Sequence, residues 1–213
     1  MGLVMKNNDK IKIAVLVSGG GTNLQALIDA QMSGVIKSGK IELVISNNAD
    51  AYALTRAKNA GIKTAVVSSK EYKEQSVFEE KLVKLLHDNG IEIIVLAGFM
   101  RILSADFTSR FPRRIINVHP SLIPSFCGKG FYGLKVHESA LKYGVKVTGA
   151  TVHFVNEIPD GGEIILQKSV AVKNGDTPEI LQRRVMEQAE WKILPRAVEL
   201  VSKEIMRNGS LKK

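Results

Sequence analysis

Ile11-Lys12-Ile13-Ala14-Val15-Leu16-Val17-Ser18-Gly19-Gly20-Gly21-Thr22-Asn23-Leu24 is the stretch that decides the fold. Its first seven residues are apolar except for Lys12 and rich in β-branched side chains, the pattern of a strand buried on both faces. Three glycines follow, and then Leu24, Leu27 and Ile28 recur at helical spacing as far as Gly34. The order is strand, glycine turn, helix N-terminus. First-turn N–H groups have no partner inside the helix, and the helix dipole is positive there, so such a turn favours an anion such as phosphate. Leu24 fills the place of the third glycine of a dinucleotide fingerprint. The second strand, Ile41-Glu42-Leu43-Val44-Ile45, ends in Ser46-Asn47-Asn48, with no acid for a ribose 2′-hydroxyl. Nor does a lysine follow the glycines, as a Walker loop requires. A monophosphate cradle fits better than NAD or ATP; a bare strand-to-helix turn is the plainer alternative.

The alternation continues outward from this unit. A helix is expected over 51–59, closed by Gly61, and a third strand over 63–67. A helix over 74–89, with Val77, Leu82, Leu85 and Leu86 apolar, ends at Gly90. A fourth strand over 91–96 runs into Ala97-Gly98-Phe99-Met100-Arg101-Ile102-Leu103, and a short helix over 105–110 stops before Pro112. Arg114-Ile115-Ile116 begins a fifth strand. This pattern predicts an α/β, Rossmann-like fold: a mostly parallel sheet with helices on both faces. Beyond a helix over 135–143 the pattern changes. Strands over 147–155 and 163–172 follow one another with no helix between them, which predicts an antiparallel C-terminal extension. Asp176-Thr177-Pro178 caps a final helix to about Met206, with a kink expected at Pro195. Without repeats or linkers, a single domain over 11–206 is expected, with flexible termini at 1–10 and 207–213.

Composition narrows the function classes. Of 213 residues, 45% are hydrophobic and 24% charged, as in ordinary globular proteins. The single cysteine, Cys127, rules out an internal disulfide and suits a reducing compartment. Residues 1–10 lack the apolar core of a signal peptide, and the most apolar run, 91–100, is too short to span a bilayer, so a cytoplasmic protein with no membrane partner is expected. The net charge of +9 is spread along the chain, without a basic run interleaved with aromatics. That argues against nucleic acid and leaves a solvated surface or anionic small-molecule substrates. No His or Cys spacing matches a metal site.

The chemistry is concentrated in Asn117-Val118-His119-Pro120-Ser121-Leu122-Ile123-Pro124. Residues i and i+2 of a strand face the same side, so Asn117 and His119 present two hydrogen-bonding groups together. They do so at the C-terminal strand edge, where open α/β sheets bind ligands. Such a pair suits an oxyanion formed during acyl transfer. His119 then needs an orienting acid. Asp160, in the turn Pro159-Asp160-Gly161-Gly162, is the best candidate, expected to raise the His119 pKa and keep it protonated. Asp106, Glu138 and Glu157 stay open by spacing. A nucleophilic Cys127 paired with His119 or His137 fits poorly, since the glycines around it suggest a mobile loop.

These motifs, with Thr148-Gly149-Ala150-Thr151-Val152-His153-Phe154-Val155 and Asp160-Gly161-Gly162, resemble those of the phosphoribosylglycinamide formyltransferases, a folate-dependent formyltransferase family. The resemblance runs from Lys12 to about Val198. It implies transfer of a formyl group from 10-formyltetrahydrofolate, as co-substrate, to the amino group of glycinamide ribonucleotide in purine biosynthesis. The transfer would be direct, by a monomer or homodimer without metal or NAD. Asn117, His119 and Asp160 would be the catalytic trio. Gly21, Thr22 and Asn23 would hold the ribonucleotide phosphate region. Glu187 and Glu190 would contact the glycinamide part, with Glu190 nearest the amine. Met100, Arg101, Ile102 and Leu103, with Asn117 and with Asn156, Glu157, Ile158, Pro159 and Asp160, would line the folate site. The segment 127–134 is longer and more glycine-rich than in many members. A basic folate contact expected before the third helix has only Lys70 or Gln75 to align with it. Related deformylases and methionyl-tRNA formyltransferases usually carry an extra domain, and a non-catalytic nucleotide-binding module is the reading from a different class.

Overall fold

The structure, a computed structural model, describes residues 10–68, 70–72 and 74–210. Residues 1–9 and 211–213 of the expected flexible termini lie outside them. β1 (Ile11–Val17) is fully enclosed from Ile13 onward. Ile13, Val15 and Val17 pack into one core cluster, and Ala14 and Leu16 into another on the opposite face. Alternate residues of a strand point to opposite faces, so a strand covered on both sides must be apolar throughout. That is why this run carries the fold.

After β1 come α1 (Thr22–Met32), β2 (Gly39–Ser46), α2 (Tyr52–Asn59), β3 (Lys63–Val66), α3 (Gln75–Asp88), β4 (Ile93–Leu96), α4 (Ala105–Ser109) and β5 (Ile115–His119). Then α5 (Leu134–Tyr143), β6 (Val147–Phe154), β7 (Ile164–Ala171), α6 (Pro178–Val185), a π-helical turn (Met186–Glu190) and α7 (Trp191–Ser210) complete the order. The strands form one sheet in the order β3-β2-β1-β4-β5-β6-β7. β1 to β5 pair in parallel, and β6 runs antiparallel to both β5 and β7. The chain builds outward from β1 to β3, then returns to lay β4 against the other side of β1. The loops after β1 and β4 therefore diverge at a topological switch point, where a crevice opens at the C-terminal strand edge. Among the described residues no helix is long and apolar enough to cross a membrane.

Two segments depart from expectation. β4 begins at Ile93 because Glu92 is drawn onto the start of β1: its N–H donates to the Lys12 carbonyl at 2.8 Å, and its carboxylate accepts from the Lys12 N–H at 3.2 Å. The last helix is not one helix with a bend at Pro195. Pro195 lies inside α7, and the irregularity comes one turn earlier, in the π-helical turn Met186–Glu190. Proline has no N–H to return to the carbonyl four residues back, which here is Trp191, the first residue of α7. Wide turns of this kind cluster at functional sites, and this one ends in Glu190.

Candidate active site

The glycine turn is built for close approach. Gly21 caps α1 at φ 72°, a conformation that disfavours a side chain, and a Cβ there would lie 2.6 Å from the Ala53 Cβ. Arg56 of α2 donates to the Gly20 carbonyl at 2.8 Å, and the Ala53 N–H to the Gly19 carbonyl at 3.0 Å, so the turn is held from below. No side chain caps α1, and no acid lies in its first turn. Its leading N–H groups border a cavity of about 310 Å³ lined by Ser18 to Asn23, Ala97, Gly98 and Met100. This is the crevice between the β1 and β4 loops. A larger groove of about 740 Å³, lined by Lys12, Lys40, Lys63 and His87, lies at the opposite strand edge, away from the paired donors.

Behind the turn, Asn23 Nδ2 donates to Glu190 Oε2 at 2.7 Å. Burial raises the Glu190 pKa to about 7, and the Asn23 bond only partly offsets this. Asn23 Oδ1 is buried and without a partner. Glu187 instead pairs with the exposed Arg183 at 2.8 Å. Of the two expected acids, only Glu190 joins Asn23.

The β4 loop is anchored at both ends. The Met100 N–H donates to Ser18 Oγ at 2.8 Å. Gln75 Nε2 reaches the Ile102 carbonyl at 3.0 Å and buried Glu79 at 2.8 Å. Glu79 also accepts from the Ser104 N–H and hydroxyl. Arg101 stacks on the Phe78 ring at 4.9 Å. Met100 and Ile102 are exposed, 58% and 62%, as is Ile158 in the loop after β6, 58%. Leu103 is buried in the core, where it clusters with Phe107 of α4. In the β6 loop, Glu157 and Pro159 are exposed, and Asn156 caps the Ile158 N–H at 3.0 Å.

Asn117 and His119 both lie within β5, and Asp160 approaches His119. His119 Nδ1 is 3.4 Å from Asp160 Oδ2, and Asp160 occupies φ 56°, which a short acid tolerates. Gly162 permits the approach, because a Cβ there would overlap the Phe154 carbonyl at 1.7 Å. The other candidate acids lie elsewhere: Asp106 pairs with Arg110, and Glu138 and Glu157 face solvent. The loop after β5 closes on the pair. His119 Nε2 donates to the Phe126 carbonyl at 2.9 Å, and the Gly128 N–H donates to Asp160 Oδ2 at 2.8 Å.

Burial of His119 works against the charged state expected from sequence, and Asp160 works for it. Burial lowers its pKa below the ordinary value; Asp160 and the Phe126 carbonyl pull upward without offsetting this, and His153 adds to the lowering. His119 Nε2 carries a proton, since the Phe126 carbonyl can only accept, and its Nδ1 faces the Asp160 carboxylate. Burial opposes ionisation of Asp160, but His153, His119 and the Gly128 N–H outweigh it, and its pKa is lowered. Burial, and then Asp160, raise the Cys127 pKa, and its thiol donates to the Pro124 carbonyl at 3.2 Å, so it is not an activated nucleophile. His137 is fully buried with both ring nitrogens unpartnered; burial and then His119 push its pKa down to about 4. Among the described residues no cluster of His, Cys, Asp or Glu is placed to hold a metal ion.

Residues 11–198 match the model of the family described as formyl transferase. The chain is 46% identical over 200 residues to the trifunctional purine biosynthetic protein adenosine-3 of Homo sapiens, covering 94% of this chain and 19% of that one. It thus spans about a fifth of the length of such trifunctional relatives. It is also 46% identical over 184 residues to the phosphoribosylglycinamide formyltransferase of Haemophilus influenzae, covering 86% of this chain and 84% of that one. The chain belongs to the formyl transferase family. A crystal structure of glycinamide ribonucleotide transformylase 1 from Symbiobacterium toebii matches this formyl transferase with a TM-score of 0.86 and 42% identity, covering 93% of this chain and 90% of that one.

One residue of this formyl transferase site escaped sequence reasoning. His153 of β6 stands directly opposite Asn117 in the β5–β6 ladder, with its Nε2 3.2 Å from Asn117 Nδ2 and 3.6 Å from Asp160 Oδ1. From sequence it is one histidine in a strand; only the antiparallel register brings it to Asn117. Gln75, one of two residues aligned with an expected basic folate contact, proves to hold the β4 loop.

Proposed function

We propose that this formyl transferase carries a formyl group from 10-formyltetrahydrofolate directly to the amino group of glycinamide ribonucleotide. The observation that carries this is convergence at one sheet edge. A bare helix N-terminus suited to a phosphate lies beside exposed Met100 and Ile102, suited to a flat apolar ring, with Asn117, His119 and Asp160 adjacent. The names of the relatives give the formyl acceptor, and the family resemblance of the motifs supplies the folate donor. Glu190, with a pKa near neutrality, suits a contact with an amine.

In this mechanism the amine nitrogen attacks the formyl carbon, and the carbonyl electron pair moves onto oxygen. Asn117 Nδ2–H and His119 Nε2–H donate to that oxyanion, His119 exchanging its Phe126 carbonyl partner for it. Collapse breaks the bond from the formyl carbon to the folate nitrogen, which takes up a proton as the attacking nitrogen loses one. Asp160 stabilises positive charge on His119 while the proton moves. A spectrophotometric assay with 10-formyltetrahydrofolate, with and without glycinamide ribonucleotide, tests the proposal. Tetrahydrofolate should appear only with the ribonucleotide. Release without it would make water the acceptor, and no release in either mixture would overturn catalysis.

A further inference from the structure

His153 is buried, 1% exposed, and the proposed chemistry gives it no contact with substrate. Its hydrogen bonds nevertheless determine what Asn117 presents. His153 Nδ1 lies 2.8 Å from the Phe154 carbonyl, which can only accept, so Nδ1 carries a proton. In the neutral ring Nε2 then has a lone pair. That lone pair faces Asn117 at 3.2 Å and requires a donor, so the Asn117 amide must turn its NH₂ toward His153. An Nδ2 so placed has a second hydrogen to offer, on the strand face that Asn117 shares with His119. With the amide reversed, Oδ1 would confront the Nε2 lone pair.

We propose that His153 is a positioning residue that fixes the Asn117 amide in its donor orientation through the Nδ1–H tautomer. Its role as an aid to transfer rests on the formyl-transfer reading; the orientation itself does not. The competing arrangement puts a proton on Nε2 to serve Asp160, the donor role in which His153 would lower the Asp160 pKa. At 3.6 Å that contact is longer than a hydrogen bond, and with the proton on Nε2 alone it strands a lone pair against the Phe154 carbonyl. Of the titratable groups facing the ring, Asp160 comes from the turn after β6 and His119 from β5.

Nitrogen-15 NMR on the intact wild-type protein near neutral pH separates the two without any assay of activity. The expected spectrum has a protonated Nδ1, an unprotonated Nε2, and a scalar coupling across the Asn117 Nδ2–H···Nε2 bond. A protonated Nε2, or an Asn117 amide without that coupling, would overturn the proposal. Kinetics then test its consequence. His153→Phe should lower kcat about 100-fold, the scale of losing one oxyanion donor, with little change in KM. His153→Gln, whose carbonyl can accept from Nδ2, should recover most of that loss. Wild-type kcat in His153→Phe, or equal loss in both variants, would refute the positioning role. If instead the wild type transfers no formyl group while the NMR result holds, the functional proposal fails and the orientation stands.

Discussion

Replacing Glu190 by Gln separates the cost of burying its charge from the value of its contacts. The carboxyl is 5% exposed, and burial lifts its pKa from 4.5 to about 7, with the Asn23 bond pulling the other way. At about 1.4 kcal/mol per tenfold change in proton affinity, this corresponds to roughly 3 kcal/mol. The sign follows from the proton counts. Between pH 4.5 and about 7 the folded protein keeps a proton on Glu190 that the unfolded chain has released. The stability this represents is fully present below pH 4.5 and is lost as pH rises through about 7. Glutamine has nothing to titrate, accepts from Asn23 Nδ2 through its carbonyl, and can offer an N–H to the unpartnered Asn23 Oδ1. Urea unfolding of both proteins from pH 4 to 8.5, with free energies extrapolated to water, supplies the test. The variant should gain on the wild type by about 2–3 kcal/mol across that range, with most of the change between pH 5 and 7.5. A stability difference that does not vary with pH would refute the raised pKa and the account of the buried pair.

Gly21→Ala should destabilise by about 2–5 kcal/mol, because it combines a left-handed backbone with an overlap against Ala53, and the urea midpoint reads this. Asp160→Asn should lower the His119 pKa further, since the carboxylate is the main influence opposing burial; an unchanged imidazole titration by NMR would contradict the 3.4 Å partnership. Glu79→Ala should cost about 2–3 kcal/mol by stranding the Ser104 donors, and should raise KM for the folate more than it lowers kcat, as steady-state kinetics would show. His119→Ala should cut kcat about 100- to 1,000-fold with the fold intact by circular dichroism.

Local signals in the chain were enough for the alternation of strands and helices, the glycine turn, and the strand-end placement of Asn117 and His119. Each depends on neighbours in sequence: an uninterrupted apolar run, a 3.6-residue stripe, or two residues on one strand face. The family resemblance was also legible there, because whole motifs stand intact. What the sequence could not supply depends on register and enclosure. The pairing of Asn117 with His153 needs the antiparallel β5–β6 ladder, and a one-residue slip would turn His153 to the other face. The inward turn of Leu103 and the outward ion pair of Glu187 follow from packing and from a π-helical turn, not from their neighbours. The burial that opposes a charge on His119 was not legible, because a nearby acid is visible in a sequence and desolvation is not. Residue types and their order thus determined which groups the protein can bring to the reaction. The tertiary structure decided their protonation and orientation, because both are set by how much water, and which carbonyls and carboxylates, surround each group.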